Sequence, residues 1–245
     1  MLSLFSKKDK LPEGGYFPFS TDMHSHILPG IDDGAPDIET SLELITGLMA
    51  VGVKKSIATP HIISDMYPNN SVTIGKALTT LRSALQEKNI LFEVHAAAEY
   101  MLDGSFFDLL DTNEKLLTVK DNAILTEFPF ATFPNYIEKI SFEIITGGYQ
   151  PILAHPERYG YAHTNYKFFH RWTELGFLLQ VNLLSLVGYY GKEVMKAARY
   201  IVKNDLCVYL GTDMHHQKHL EALVHKNSQD VYFEYLKDKD WNTLL

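Results

Sequence analysis

The chain has 245 residues, of which 46% are hydrophobic and 21% charged, and its formal net charge is −8 at pH 7. This composition is typical of one globular domain with a sizeable core, and it excludes a disordered, collagenous or low-complexity protein. Because acidic residues outnumber basic ones, the sequence offers no basic patch for a phosphate backbone, and nucleic acid is not an expected partner.

The first residues lack the features of a targeting segment. Residues 1–20 begin with apolar side chains followed by lysines and contain no apolar run of the signal-peptide type. We expect them to form a flexible leader to a single domain that covers 1–245. A weak interfacial contact through Leu2, Leu4 and Phe5 stays open. No stretch approaches the roughly 20 apolar residues of a membrane span, so no integral span is expected.

The single cysteine, Cys207, excludes an intramolecular disulfide and suits a reducing compartment, so we expect a cytoplasmic protein. A cysteine-based phosphatase would need an arginine six positions after its nucleophile, but that position holds Asp213. The run L-C-V-Y-L is also typical of a buried strand. Catalysis by a thiolate is therefore not expected.

Seven short apolar or β-branched runs predict strands, and segments with a helical period follow them. The predicted strands cover residues 22–27, 55–59, 91–98, 123–127, 151–154, 177–182 and 206–211. The predicted helices cover residues 36–51, 72–88 with Ser71 as N-cap, 134–146, 166–175, 192–203 and 229–236. This alternation without an internal linker indicates a parallel α/β domain, either a closed barrel or a doubly wound sheet.

The first predicted strand contains a pair of histidines. His24 and His26 stand two positions apart in T-D-M-H-S-H, so the strand period of two points both side chains to one face. Asp213 and His215 repeat that spacing after the last strand. Such pairs are suited to chelate a metal ion.

Most of the later strands also end on a polar residue. These residues are His61, Glu99, Glu127 and His155, followed by Asp213 with His215. The turn D-D-G after the first strand adds Asp32 and Asp33, one of which can cap the first helix while the other binds metal. Each residue alone is more often a structural hydrogen-bonding group. In a parallel barrel, however, the carboxyl ends of all strands meet at one rim, so together they predict a metal site there.

The charges of this set require cations. The carboxylates of Asp33, Glu99, Glu127 and Asp213 would repel one another if crowded together, whereas two or three divalent ions would balance them. Nitrogen and oxygen donors without a thiolate suit manganese, iron or zinc and disfavour calcium. Such ions would also attract an anionic substrate and lower the pKa of bound water.

Arg158 lies three residues after His155 in H-P-E-R, and its planar guanidinium suits two phosphate oxygens. A surface ion pair with Glu157 or with an acidic residue of a helix is the alternative. Four aromatic residues of the predicted rim loops could stack on a substrate ring or be ordinary loop residues: Tyr159, Tyr161, Tyr189 and Tyr190.

Seven motifs between Asp22 and His215 together carry a family resemblance: D-M-H-S-H, D-D-G, T-P-H, A-E-Y, T-E-F, A-H-P-E-R and D-M-H. In this order they resemble the bacterial manganese-dependent protein-tyrosine phosphatases of the polymerase-and-histidinol-phosphatase (PHP) superfamily, which occur with capsule and exopolysaccharide synthesis. The resemblance implies a distorted (β/α)7 TIM-like barrel of PHP type with a trinuclear metal centre at its carboxyl rim. Manganese is the preferred metal, with iron or zinc as alternatives.

The resemblance also implies roles for individual residues. One ion would be held by His24, His26, Glu99 and Asp213, a second by Glu99, Glu127 and His155, and a third by Asp33, His61 and His215, with Glu99 as the bridge. Arg158 would grip the substrate phosphate. The family pattern has a further arginine shortly after D-M-H, for which Lys218 would substitute here as a point charge.

The implied reaction is hydrolysis of phosphotyrosine by a metal-bound hydroxide, with His61 or His215 as general acid only where one of them escapes metal binding. The implied substrate is the phosphotyrosine tail of a bacterial tyrosine kinase, met at the inner face of the membrane. A histidinol-phosphate or phosphosugar phosphatase on the same centre, and a non-catalytic phosphotyrosine- or metal-binding regulatory module, are alternatives. A nucleic-acid phosphodiesterase is disfavoured by the net charge, and a homo-oligomer stays open.

Overall fold

A computed structural model describes residues 15–112, 114–243 and 245. Its strands are β1 (Thr21–Ser25), β2 (Lys55–Ala58), β3 (His61–Ile62), β4 (Glu93–Ala96), β5 (Glu99–Met101), β6 (Ala123–Glu127), β7 (Gln150–Ala154), β8 (Leu178–Asn182) and β9 (Cys207–Gly211). Its α-helices are α1 (Ile38–Ala50), α2 (Ser71–Glu87), α3 (Gly104–Asp111), α4 (Ile137–Thr146), α5 (Lys167–Glu174), α6 (Leu183–Leu186), α7 (Lys192–Lys203), α8 (Gln217–Val224) and α9 (Lys226–Leu236).

The strands pair in parallel, as the alternation of elements predicts, and they form two sheets with the orders β1-β2-β4 and β3-β5-β6-β7-β8-β9. Each of the seven predicted strands is present. A single closed (β/α)7 barrel is not confirmed, because the strands form two sheets, and the short strands β3 and β5, which lie outside the predicted ranges, follow β2 and β4. Pro60, between β2 and β3, has no N–H to donate to a continuous ladder.

Backbone hydrogen bonds join the two sheets next to β1 and β9. The Asp213 N–H donates to the His24 carbonyl at 2.8 Å, and the His26 N–H donates to the Met214 carbonyl at 2.9 Å. The carboxyl ends of β1 and β9 are thereby fixed side by side. These bonds place the two predicted chelating pairs next to each other.

Several helix starts differ from the sequence expectation. Helix α1 begins at Ile38, and Asp37 caps it by accepting a hydrogen bond from the Thr40 N–H. Helix α2 is capped by Asn70 and begins at Ser71, which was expected to be its cap. Helices α3, α6 and α8 are not predicted from the sequence, because they have only four to eight residues and show little more than two turns of periodicity.

The predicted leader is packed against the domain at its described end. Tyr16 lies edge-on to Phe233 with ring centroids 5.4 Å apart, and Phe19 is buried. Residues 15–20 are therefore part of the fold, which corrects the expectation of a flexible leader up to residue 20. Leu2, Leu4 and Phe5 lie outside the described residues.

The apolar core lies between the helices and the sheets and anchors the chain beside the site. Phe128, directly after β6, is fully buried and contacts Trp172 of α5 and Phe177, with centroid distances of 5.8 and 5.5 Å. Among the helices of the described residues, none is long and apolar enough to cross a membrane.

Gly34 lies in the turn after β1, where the backbone and side chain of His26 leave no space for a Cβ. A Cβ at this position would lie 2.0 Å from the His26 carbonyl oxygen and 2.5 Å from the His26 Cβ. We expect Gly34→Ala to lower the free energy of unfolding by about 1–3 kcal/mol because the crowded backbone must shift. The matched control is Gly75→Ala in α2, where the new Cβ meets nothing within 4 Å; it should raise the free energy of unfolding by about 0.5–1 kcal/mol. Urea denaturation measures both, and equal effects would contradict this account of the turn.

Candidate metal centre

The structure brings all of the predicted metal-binding side chains together. Their nitrogen and oxygen atoms form four overlapping groups in which the donor atoms lie within 4.8 Å of one another: His26, Asp33, His61 and His215; His24, His26 and Asp213; His24, Glu99 and His155; and His61, Glu99 and Glu127. Shared members connect the groups into one cluster. Most of these side chains are buried, and Asp33, at the mouth, is the most exposed.

The spacing of four donor atoms fits a single ion. They are His24 Nε2, His26 Nε2, Glu99 Oε2 and Asp213 Oδ1, and the five separations that involve a histidine nitrogen are 3.2–3.5 Å. Donors bound to one ion at about 2.1 Å would lie roughly 3.0–3.4 Å apart in octahedral or tetrahedral geometry. The arrangement is therefore close to that of a coordination shell.

The tautomers of the two β1 histidines support this interpretation. His24 Nδ1 donates to the Gln180 side-chain oxygen at 2.7 Å, and His26 Nδ1 donates to Asp32 at 2.7 Å. With the proton on Nδ1, the Nε2 lone pairs of the neutral rings face each other at 3.3 Å. Two lone pairs at this distance repel unless a cation or a proton lies between them.

Glu99 occupies the middle of the cluster. It is fully buried; its Oε2 lies 3.3 Å from His61 Nδ1 and its Oε1 lies 2.9 Å from His155 Nε2. Together with the contacts of Oε2 to the β1 histidines, these distances place one carboxylate between the donors of every expected ion. A bridging carboxylate requires such a position.

Several buried donor atoms have no hydrogen bond among the described residues. They include His61 Nδ1, Glu127 Oε1 and His155 Nδ1. His61 Nδ1 and Glu127 Oε1 are only 3.0 Å apart, but their orientation does not make a hydrogen bond. Unsatisfied buried donors and acceptors are costly, and divalent cations would satisfy those that face the cluster. The residues present thus fit a metal centre.

The electrostatics lead to the same conclusion. Burial lowers the pKa of His24, but the nearby carboxylates of Glu99 and Asp213 outweigh it and raise that pKa to about 9. Burial alone would raise the pKa of Glu99, yet His24 and His61 hold it well below its usual range. The carboxylates therefore draw positive charge into the site, as protons on histidine when no cation is bound.

Two of the clustered residues have a left-handed backbone conformation. His155 has φ 35° and Asp213 has φ 51°, a region that costs non-glycine residues of the order of 1 kcal/mol or more. Both follow the ends of strands, β7 and β9, where a sharp turn aims the side chain over the rim. Backbone strain at residues such as His155 and Asp213 is typical of a functional site.

Polar residues that hydrogen-bond to the donor residues fix their orientation, and most of these supporting residues are not predicted from the sequence. Asp32 accepts from His26, from the Gly34 N–H at 3.0 Å and from the His61 N–H at 3.2 Å. It therefore supports the centre, whereas Asp37 caps α1. On β8, Gln180 donates to Asn182 at 2.9 Å, and Asn182 donates to Asp213 at 2.7 Å. The alternation Q-V-N, with both polar residues on one face of a buried strand, is the signal that could have identified them.

Arg158 stands at the edge of this cluster. Its Nη1 donates to Asp213 Oδ2 at 2.9 Å, and its guanidinium lies over the rings of Phe130 and Tyr190 at 5.1 and 4.6 Å. The alternative pairing with Glu157 is not found, because Glu157 is buried and accepts from the Asn182 N–H. Arg158 is thus held next to the donors with part of its side chain accessible.

A cavity of about 320 Å³ opens over the cluster. It is lined by Asp33, His61, Glu127, Phe130, His155, Arg158, Tyr190, Asp213, His215, His216 and His219. Phe130, His216 and His219 are additions to the predicted residues. Lys218 is exposed in the first turn of α8 and is not part of the lining.

Except for Tyr190, the remaining sequence candidates are not part of the cavity lining. Tyr159 is fully buried and donates to the Ala154 carbonyl at 3.1 Å, and Tyr161 stacks on it at 5.5 Å. Of the four predicted rim tyrosines, Tyr190 is the one that lines the cavity. Cys207 is buried, and burial raises the pKa of its thiol, in agreement with the expectation of no thiolate catalysis.

Comparison with known proteins identifies similar sequences. A family model described as "Capsular polysaccharide synthesis, CpsB/CapC" matches residues 20–240. The tyrosine-protein phosphatase YwqE of Bacillus subtilis (strain 168) is 32% identical over 198 residues, which cover 80% of this chain and 78% of the relative. The putative tyrosine-protein phosphatase CapC of Staphylococcus aureus is 26% identical, and the match covers 88% of this chain and 86% of the relative. The tyrosine-protein phosphatase CpsB of Streptococcus pneumoniae is 28% identical, and the match covers 79% of this chain and 82% of the relative.

A solved structure is also similar. It comes from work on YwqE from Bacillus subtilis and CpsB from Streptococcus pneumoniae, described as unique metal-dependent tyrosine phosphatases. It matches with a TM-score of 0.79 and 28% identity, covering 91% of this chain and 89% of the other. The family resemblance drawn from the motifs is thus confirmed.

Glu99→Gln tests the central position of Glu99. The amide keeps the size of the side chain but removes its charge, so we expect loss of at least one equivalent of bound metal while the fold is retained. Metal analysis after gel filtration, together with circular dichroism, measures both. The matched control is Glu93→Gln, since the Glu93 side chain is 60% exposed and pairs only at the surface. Unchanged metal content in Glu99→Gln would exclude the bridging role.

Proposed function

The chain belongs to the CpsB/CapC family of capsular polysaccharide synthesis, and from this premise we propose that it is a metal-dependent protein-tyrosine phosphatase that hydrolyses phosphotyrosine. The relatives named above are tyrosine-protein phosphatases, and the similar solved structure is of metal-dependent ones. The observation in this chain that carries the proposal is the convergence of five histidines and four carboxylates in one cluster; six of these side chains line a cavity together with Arg158.

The proposed cofactors are two or three divalent ions, with manganese preferred and iron or zinc as alternatives. The proposed ligand sets are His24, His26, Glu99 and Asp213; Glu99, Glu127 and His155; and Asp33, His61 and His215. The third set is supported by donor distances, since Asp33 Oδ1 lies 3.5 Å from both His61 Nε2 and His215 Nε2. In the second set, Glu127 lies closer to His61, at 3.0 Å, than to His155, at 3.9 Å. When bound, such ions supply positive charge for the phosphate oxygens and lower the pKa of water.

The chain's own residues bind and orient the phosphate. Arg158 donates hydrogen bonds to phosphate oxygens and offsets their charge, while its bond to Asp213 and its two aromatic neighbours fix the plane of the guanidinium. The phenol group of tyrosine has a pKa near 10, so a phenolate is a better leaving group than an alkoxide and has less need of a general acid. His61 and His215 belong to the proposed ligand sets, so either acts as general acid only if it is free of metal.

The proposed substrate is the phosphotyrosine tail of a tyrosine kinase of capsule or exopolysaccharide synthesis, met in the cytoplasm at the inner face of the membrane. A peptide tail can bring its side chain to a cavity of about 320 Å³ without the kinase domain entering it. Because Lys218 lies outside the cavity lining, we assign it no contact with the phosphate.

Removal and return of metal, followed by a substrate panel, tests the function. Chelation should abolish phosphate release from a phosphotyrosine peptide, and manganese should restore it better than magnesium. Turnover of the peptide should exceed that of histidinol phosphate, sugar phosphates and bis-aryl phosphate. Faster turnover of histidinol phosphate or a sugar phosphate would favour the alternative phosphatases, and peptide binding without phosphate release would indicate a regulatory module.

Arg158→Lys tests the phosphate contact. The lysine keeps the charge but lacks the planar fork, so KM for the phosphotyrosine peptide and the inhibition constant of inorganic phosphate should each rise on the order of 10-fold. Bound metal should stay constant. Arg199→Lys is the matched control, because Arg199 also lies over a tyrosine ring, that of Tyr235, but on α7 outside the cavity. An unchanged KM in Arg158→Lys would remove Arg158 from substrate binding.

A further inference from the structure

We propose that Phe130 is the specificity-determining residue of this site, forming an aromatic wall that favours aryl over alkyl phosphate monoesters. The inference rests on the proposed phosphatase function and deepens it. It concerns the leaving group of the substrate, which neither the metal ligands nor Arg158 would distinguish.

The position of Phe130 is fixed by its neighbours. It lies three residues after Glu127, and its ring stacks on His155 with centroids 5.5 Å apart and an interplanar angle of 25°. It also contacts Tyr159 at 5.3 Å and lies under the Arg158 guanidinium at 5.1 Å. Phe128, two residues before Phe130, anchors this segment in the core, and the Phe128 N–H donates to the Tyr159 hydroxyl at 3.0 Å. The ring is therefore preorganised before any ligand arrives.

Phe130 also leaves a large apolar surface uncovered inside a polar cavity. It is 44% exposed, although it lines the same cavity as the proposed phosphate-binding Arg158 and the proposed metal ligand His155. A phosphate bound beside His155 and Arg158 would be close to this ring, since Phe130 contacts both side chains. An aromatic leaving group would cover the exposed part of Phe130, whereas a short alkyl group would leave most of it in water.

The other aromatic side chains near the site are less suited to this role. Tyr159 and Tyr161 are not part of the cavity lining. Tyr190 lines the cavity and, like Phe130, has the Arg158 guanidinium over its ring, but it is less exposed than Phe130 and carries a polar hydroxyl. Phe130 is thus the lining residue with both an apolar ring and a large exposed fraction.

A purely structural role makes a different prediction. If Phe130 only supported His155 or Arg158, its replacement would weaken every phosphate ligand alike or reduce the bound metal. A pair of non-hydrolysable ligands separates the two cases. Benzylphosphonate carries a ring at the position of the tyrosine side chain, and ethylphosphonate carries the same anionic group without the ring.

The experiment is calorimetric titration of both phosphonates into the metal-loaded protein and its Phe130→Leu and Phe130→Trp variants. We expect Phe130→Leu to weaken benzylphosphonate binding on the order of 10-fold while ethylphosphonate binding and metal content change less than about 2-fold. Phe130→Trp should restore most of the loss. Phe142→Leu on α4, a residue that is 66% exposed and outside the cavity, should change neither.

Equal weakening of both phosphonates, loss of metal, or no effect of Phe130→Leu would overturn the inference. Because these ligands are not turned over, the result does not depend on catalysis. Failure of the proposed function would instead appear in the unmodified protein, as no release of phosphate from a phosphotyrosine peptide.

Discussion

The repulsion among buried carboxylates is the constraint on which the rest of this structure depends. Glu99, Glu127 and Asp213 are almost completely buried. Donor atoms of Glu99 and Glu127 lie within 4.8 Å of each other, and Asp213 contacts His24 and His26, which also contact Glu99. Such a group is unfavourable without positive charge, and the bond from Arg158 to Asp213 supplies only part of it. The fold therefore holds a cluster whose donor set suits metal cations.

The same constraint explains why the support of the cluster is so extensive. His155 and Asp213 keep left-handed backbone conformations, and Asp32, Gln180 and Asn182 fix the orientation of donors that they contact. Asp213 links both parts of the proposed site, since it contacts the β1 histidines through one oxygen and Arg158 and Asn182 through the other. Displacement of Asp213 would disturb the metal cluster and the phosphate-binding residue together.

Much of this site could be predicted because strand ends are local features of a sequence. Apolar runs fix the strands, and the polar residue that follows each run, such as His61 or His155, is then placed at one rim by the parallel topology. Phe130 could not be predicted in the same way, because its proposed role depends on its distances to His155 and Arg158, which follow from tertiary packing. The division of the sheet at Pro60 and the short helices α3, α6 and α8 were missed because tertiary packing, more than periodicity, determines them.

Electron paramagnetic resonance of the metal-depleted protein titrated with manganese tests the central claim most directly. Neighbouring Mn²⁺ ions couple magnetically, whereas isolated ions give separate six-line spectra. The account predicts at least two bound ions per chain and loss of the six-line pattern as the cluster fills. A single uncoupled ion at saturation, or no bound manganese, would contradict it.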